Sequence, residues 1–124
     1  MTALRYTGDH EWIRLESDGS ATVGITDHAQ DALGDIVFVE MPEIRRKFAK
    51  GEPACVIESV KAAADLKMPV AGSVVAVNDA LPDDPAKVNT DPMKDGWFIR
   101  IQPDNPADLE SLMDDAAYQA LIAS

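Results

Sequence analysis

The stretch Val60-Lys61-Ala62-Ala63-Ala64-Asp65-Leu66-Lys67 decides how this chain is read. Ala, Leu and Lys are good helix formers, so propensity alone makes it a short helix. Its flanks argue the other way. Pro53 and Pro69 punctuate it on both sides, and Val56 and Ile57 favour strand. Ala71-Gly72 offers a turn ahead of Ser73-Val74-Val75-Ala76-Val77. A hairpin within about 51–78, with Lys61 near its tip, therefore competes with a helix, and residue preferences alone leave both open.

The neighbouring sequence is rich in short strands. In Glu11-Trp12-Ile13-Arg14-Leu15-Glu16, Ile13 and Leu15 share one face, and Ser17-Asp18-Gly19-Ser20 is a turn that permits a hairpin into Ala21-Thr22-Val23-Gly24-Ile25. Asp27-His28-Ala29-Gln30 has a capping-box pattern for a short internal helix that Gly34 ends. Ile36–Glu40 reads as a strand stopped by Pro42, and Val74–Val77 and Phe98–Gln102 are further strands. Asn78–Asp95 is rich in Pro and Asp and reads as a long surface loop of the kind that often carries function. Asn105-Pro106 with Asp108 starts a C-terminal helix from about 106, whose Leu109, Leu112, Met113 and Ala116 form a core-facing stripe. The expected class is mainly β, as a single domain over 1–124.

Composition excludes several functions. A formal charge of −11 repels phosphate backbones, which argues against nucleic-acid binding and suits encounters with basic partner surfaces. No apolar run approaches the ~20 residues that span a bilayer, and the N-terminal sequence lacks an apolar signal region. The expected location is cytoplasmic, with no membrane association. Two histidines and one cysteine leave little for a metal site. Cys55 has no partner for an internal disulfide and reads as a small buried hydrophobe. No nucleophile with its base, glycine-rich phosphate loop or metal spacing is present, so no catalytic residue is expected.

Glu58-Ser59-Val60-Lys61-Ala62, followed by Asp65, Pro69-Val70 and Gly72, resembles the lipoyl-attachment region of glycine cleavage H proteins. Lipoyl domains of 2-oxoacid dehydrogenases usually read Asp-Lys-Ala at this point and biotin carriers Met-Lys-Met, so Val60 before Lys61 favours the H-protein branch. The likeness extends to His10-Glu11-Trp12, to Gly24 through Asp35, to Val37–Glu40 and Pro42, and to Val88-Asn89, Pro92 and Gly96-Trp97.

That resemblance implies a lipoyl/biotinyl-type hybrid-barrel β-sandwich with added helices, and a carrier instead of an enzyme. It implies lipoate attached covalently to Lys61, with Glu58, Ser59, Val60 and Ala62 presenting it to a lipoate ligase or lipoyltransferase. The implied cycle has three stops. A pyridoxal-phosphate-dependent glycine decarboxylase loads an aminomethyl group onto the arm, and a tetrahydrofolate-dependent aminomethyltransferase unloads it. A flavin-dependent dihydrolipoyl dehydrogenase then reoxidises the dithiol with NAD. Glu11 and Asp65 are implied contacts for the loaded arm in a cleft, where a carboxylate suits a cationic amine. His10 and His28 are expected to be held by local hydrogen bonds, and Trp12 and Trp97 to be packing residues.

Some positions depart from the pattern. Arg45-Arg46-Lys47 stands where the family commonly has a glycine-containing turn, Lys87 where an apolar residue is usual, and Met93 where an aromatic is common. Two other readings compete with the glycine cleavage carrier. One is an H-like carrier serving lipoyl relay or another modification system; the other is an unmodified acidic β-domain that binds a partner non-covalently.

Overall fold

Strands dominate residues 3–123, the part of the chain that the computed structural model describes. In chain order they are β1 (Ala3–Tyr6), β2 (Glu11–Leu15), β3 (Ala21–Ile25), β4 (Ile36–Glu40) and β5 (Lys47–Phe48). β6 (Pro53–Ser59), β7 (Ala63–Lys67), β8 (Gly72–Val77) and β9 (Ile99–Pro103) complete the set. Helix α1 (Asp27–Leu33) separates β3 from β4, α2 (Ala80–Asp83) and α3 (Lys87–Thr90) lie between β8 and β9, and α4 (Asp115–Ala123) follows β9.

The ambiguous lysine segment is a hairpin. β6 and β7 pair antiparallel, with Ile57 opposite Ala64 and Glu58 opposite Ala63. The choice follows from burial with a period of two: Cys55, Ile57 and Leu66 are buried, while Glu58, Asp65 and Lys67 face water. A helix would not place Leu66 in the core while β4 pairs along the other edge of β6. Long-range pairing overrides local propensity here.

Two antiparallel sheets form the sandwich, one in the order β1-β2-β3-β9-β8-β5 and one in the order β4-β6-β7. The larger sheet ends at β1 and β5, so it is an open sandwich and not a closed barrel. Ile13, Val23, Ile99, Ile101 and Val74 of the large sheet meet Ile57 and Leu66 of the small one in the main core. Burying each such side chain contributes about 1.5–3 kcal/mol. A second cluster joins Trp12, Tyr6 and Tyr118 on the opposite face of β2.

Three sequence expectations are corrected. The N-cap of α1 is Thr26, whose hydroxyl accepts the Ala29 amide at 3.2 Å, while Gln30 reaches back to Asp27. Asn78–Asp95 is not a structureless loop, because α2 and α3 bury Leu81 and Val88 in the core. The C-terminal helix is broken. Asn105 caps it as expected, but the first piece is a tight 3-10 helix, Pro106–Ser111, and α4 starts only at Asp115. Tyr6 and Met113 exchange both backbone hydrogen bonds, at 2.9 and 3.0 Å, which holds Met113 extended and interrupts the helix. Leu109 is buried as expected and Ala116 is exposed; in α4 it is Tyr118 that enters the core.

Candidate functional site

Val60, Lys61 and Ala62 connect β6 to β7, with Val60 and Lys61 at the tip. Neither has a positive φ, so the left-handed turns usual for such short tips are not used. Ser59 takes over that work. Its amide donates to the Ala62 carbonyl at 2.8 Å, and its hydroxyl accepts from the amides of Ala62 (3.0 Å) and Lys61 (3.3 Å). The side chains of Lys61, Ala62 and Glu58 are exposed, as is that of Val60 at 67%. The result is a stiff base under an accessible amine.

The tip also rests on the turn after α1. The Val60 amide donates to the Asp35 carbonyl at 3.0 Å. Gly34 ends α1 with φ of 82° and ψ of −162°, a conformation essentially confined to glycine. A Cβ at Gly34 would lie 3.3 Å from Cε of Lys61, so the lysine stem runs directly over this bare backbone. In β4 a bulge between Ile36 and Phe38 turns Val37 and Phe38 toward solvent, at 55% and 45% exposure, beside the tip.

Glu11 sits elsewhere, near the other end of β7. It is 3% exposed, accepts the Thr7 hydroxyl at 2.7 Å through Oε1 and the Lys67 amide at 3.2 Å through Oε2. Burial pushes its carboxyl above the ordinary value, against the opposing pull of those two hydrogen bonds. It lines a cavity of about 290 Å³ together with Thr7, Asp9, Lys50, Lys67 and Met113. Neither Lys61 nor Asp65 lines this cavity. Asp65 is exposed on β7, so the two acids are not brought together at one pocket.

His10 and Trp12 are held by hydrogen bonds to distant segments of the chain, and His28 by a ring contact. Nδ1 of His10 lies 2.9 Å from the Tyr118 hydroxyl, which in turn is 2.6 Å from that of Thr26. The rings of His10 and His28 stack at 4.5 Å. Trp12 is fully buried and donates to the Pro92 carbonyl at 3.0 Å. Cys55 is buried and its thiol is pushed up to about 12 by burial. No group of metal-binding side chains occurs among the described residues, and no helix there is long and apolar enough to cross a membrane.

This architecture has close counterparts. The profile described as glycine cleavage H-protein matches residues 4–124. The chain belongs to the glycine cleavage H-protein family. It is 56% identical over 119 residues to glycine cleavage system H protein 2 of Pseudomonas aeruginosa, covering 96% of this chain and 92% of that one. It is 59% identical over 115 residues to the glycine cleavage system H protein of Chromobacterium violaceum, covering 93% and 90%. A crystal structure of the glycine cleavage system H protein from Mycobacterium marinum superimposes with a TM-score of 0.89 at 39% identity, over 98% of this chain and 97% of that one.

Against this H-protein background, sequence reasoning missed three neighbours of the site. Thr7, which hydrogen-bonds Glu11, carries no signal of its own. Gly34 was legible as a helix end but not as the seat of the lysine stem. Asn89 belongs to the Val88-Asn89 block, yet its contacts are visible only once α3 is placed against the turn after α1.

Proposed function

We propose that this chain is the lipoyl-carrier protein of the glycine cleavage system, with the cofactor joined by an amide bond to Nζ of Lys61. The observation that carries the reading is the exposed Lys61 on its Ser59-clamped hairpin tip, in a chain of the H-protein family. The fit to the group is direct. An accessible primary amine on a rigid turn can enter a ligase active site, and acylation replaces its charge with a long neutral arm. When attached, the dithiolane supplies a disulfide that takes up the aminomethyl carbon of glycine and is later regenerated by oxidation.

The rest of the work falls to the polypeptide. Ser59 fixes the base of the arm, and Glu58, Val60 and Ala62 present the lysine to a lipoate ligase or lipoyltransferase. The exposed Val37 and Phe38 widen the apolar surface around the tip, and the charge of −11 steers the chain toward basic rims on its partners. Those partners are glycine decarboxylase, the aminomethyltransferase and dihydrolipoyl dehydrogenase, met in the cytoplasm. Glu11, buried in its cavity, receives the cationic end of the loaded arm, and Asp65 on β7 lies along the way. The chain itself performs no chemical step, and 1–124 acts as one carrier domain.

Intact mass and peptide mapping of natively expressed protein test the reading. Expected is one lipoyl group on Lys61, none in Lys61→Arg, and loss of glycine decarboxylation by the reconstituted system with that variant. Unmodified Lys61 in cells that make lipoate would point to a non-covalent interaction domain. Full lipoylation without support of glycine turnover would point to a carrier for lipoyl relay.

A further inference from the structure

The lysine tip leans on the turn after α1, and that turn is bolted from outside by one side chain. Oδ1 of Asn89 accepts the Ile36 amide at 2.9 Å. Its Nδ2 donates to the Gly34 carbonyl and to Oε1 of Gln30, each at 2.9 Å. Three of the four hydrogen-bonding positions of one amide are thus spent on the segment 30–36. Gly34 carries the stem of Lys61 and Asp35 accepts the Val60 amide, so the segment Asn89 grips is the one the lysine rests on. Ile36 pairs with Ser59, the clamp of the tip, which closes the circuit.

We propose that Asn89 is a positioning residue for modification of Lys61. It acts through Gly34, Asp35 and Ile36, holding the turn so that the lysine leaves the hairpin in one direction. The proposal rests on Lys61 being the attachment point. The Gly34 amide still closes α1 by donating to the Gln30 carbonyl, and β4 begins at Ile36, but the Gly34 carbonyl and the Ile36 amide take Asn89 as partner where helix gives way to strand. Without the amide, the turn and the tip drift together and only a fraction of molecules offers Nζ in the orientation a ligase accepts. Apparent affinity then falls by that fraction, while the chemical step in the bound complex is unchanged.

The test uses the full chain as acceptor for a lipoate ligase with lipoate and ATP, followed by mass spectrometry. Wild type, Asn89→Ala and the core variant Val74→Ala are compared, the last as a control for general destabilisation on β8. Expected for Asn89→Ala is a rise in KM for the acceptor chain of roughly tenfold with kcat nearly unchanged, and faster hydrogen exchange at the Val60 amide. Val74→Ala should change neither. Should Asn89→Ala not fold, Asn89→Asp, which keeps the acceptor and loses both donated bonds, is measured in its place with the same expectation. Unchanged KM, or an equal rise in Val74→Ala, overturns the role of Asn89 while leaving the carrier reading intact. A wild-type chain that takes no lipoyl group at Lys61 overturns both.

Discussion

The carboxylate of Glu11 on β2 accepts the backbone amide of Lys67 on β7 at 3.2 Å, joining the large sheet to the last residue of the lysine hairpin. One buried acid therefore links the two layers of the sandwich while also lining the cavity beside them. Its carboxyl is held above the ordinary value of 4.5 by burial. Between that value and the raised one, the folded chain holds more protons than the unfolded chain. Its contribution to stability is therefore full below the ordinary value and declines as pH rises through the folded one. Urea unfolding from about pH 4 to about pH 7 should show this decline in wild type and not in Glu11→Gln. Parallel curves for the two proteins would refute the assignment.

Arg45 adopts a φ of 77°, the left-handed region, where a Cβ is disfavoured by roughly 1–2 kcal/mol. Its amide donates to the Val74 carbonyl, a bond that glycine retains. Arg45→Gly should raise stability by about 0.5–1 kcal/mol after the larger chain entropy of unfolded glycine is deducted. A higher urea midpoint with unchanged m checks this, and a lower midpoint would mean that the arginine side chain outweighs the strain.

Gly24 lies directly opposite Trp12 across the β2–β3 pair, and a Cβ there would stand 2.8 Å from the indole. The ring is fully buried, so it cannot swing out to solvent and must shift within the packed interior. Gly24→Ala should therefore cost about 1–3 kcal/mol by overpacking. Thermal unfolding measures it, and loss of the Trp12 bond to Pro92 should accompany the shift in tryptophan fluorescence.

His10 is held below its ordinary value of 6.5, first by burial and then by the neighbouring His28, with Asp9 acting the other way. The unfolded chain binds this proton more readily, so stability is lost as pH falls below the ordinary value. NMR titration should find His10 protonating at lower pH than a model imidazole, and His28→Ala should bring it part of the way back. No movement in that variant would leave burial as the sole cause.

Much of the fold was legible before any coordinates. β2, β3, β4, β8 and β9 declared themselves because turn residues bracket short runs of strand formers. Lys61 stood out as a candidate through its neighbours Glu58–Ala62, although the shape around it did not. An Ala-rich stretch has no intrinsic strand preference, and only pairing with β6 and burial of Leu66 make it one. What stayed hidden was non-local. Asn89 meets Ile36 across 53 residues of sequence, and the break in the C-terminal helix is imposed by Tyr6 at the far end of the chain. Arg45 stood out as a departure, but its left-handed backbone could not be read from residue type.

The single cysteine has a consequence for the proposed lipoyl arm, whose dithiolane ring is a disulfide. Exchange begins with a thiolate, and Cys55, at about 12, is ionised in only ~1 in 10⁵ molecules at neutral pH. It is also 1% exposed, beneath the small sheet. On the proposed reading, the chain would offer such a ring no competing thiolate, and self-trapping as a mixed disulfide would be suppressed both by ionisation and by access. A thiol that opens the proposed ring would then have to arrive from another molecule.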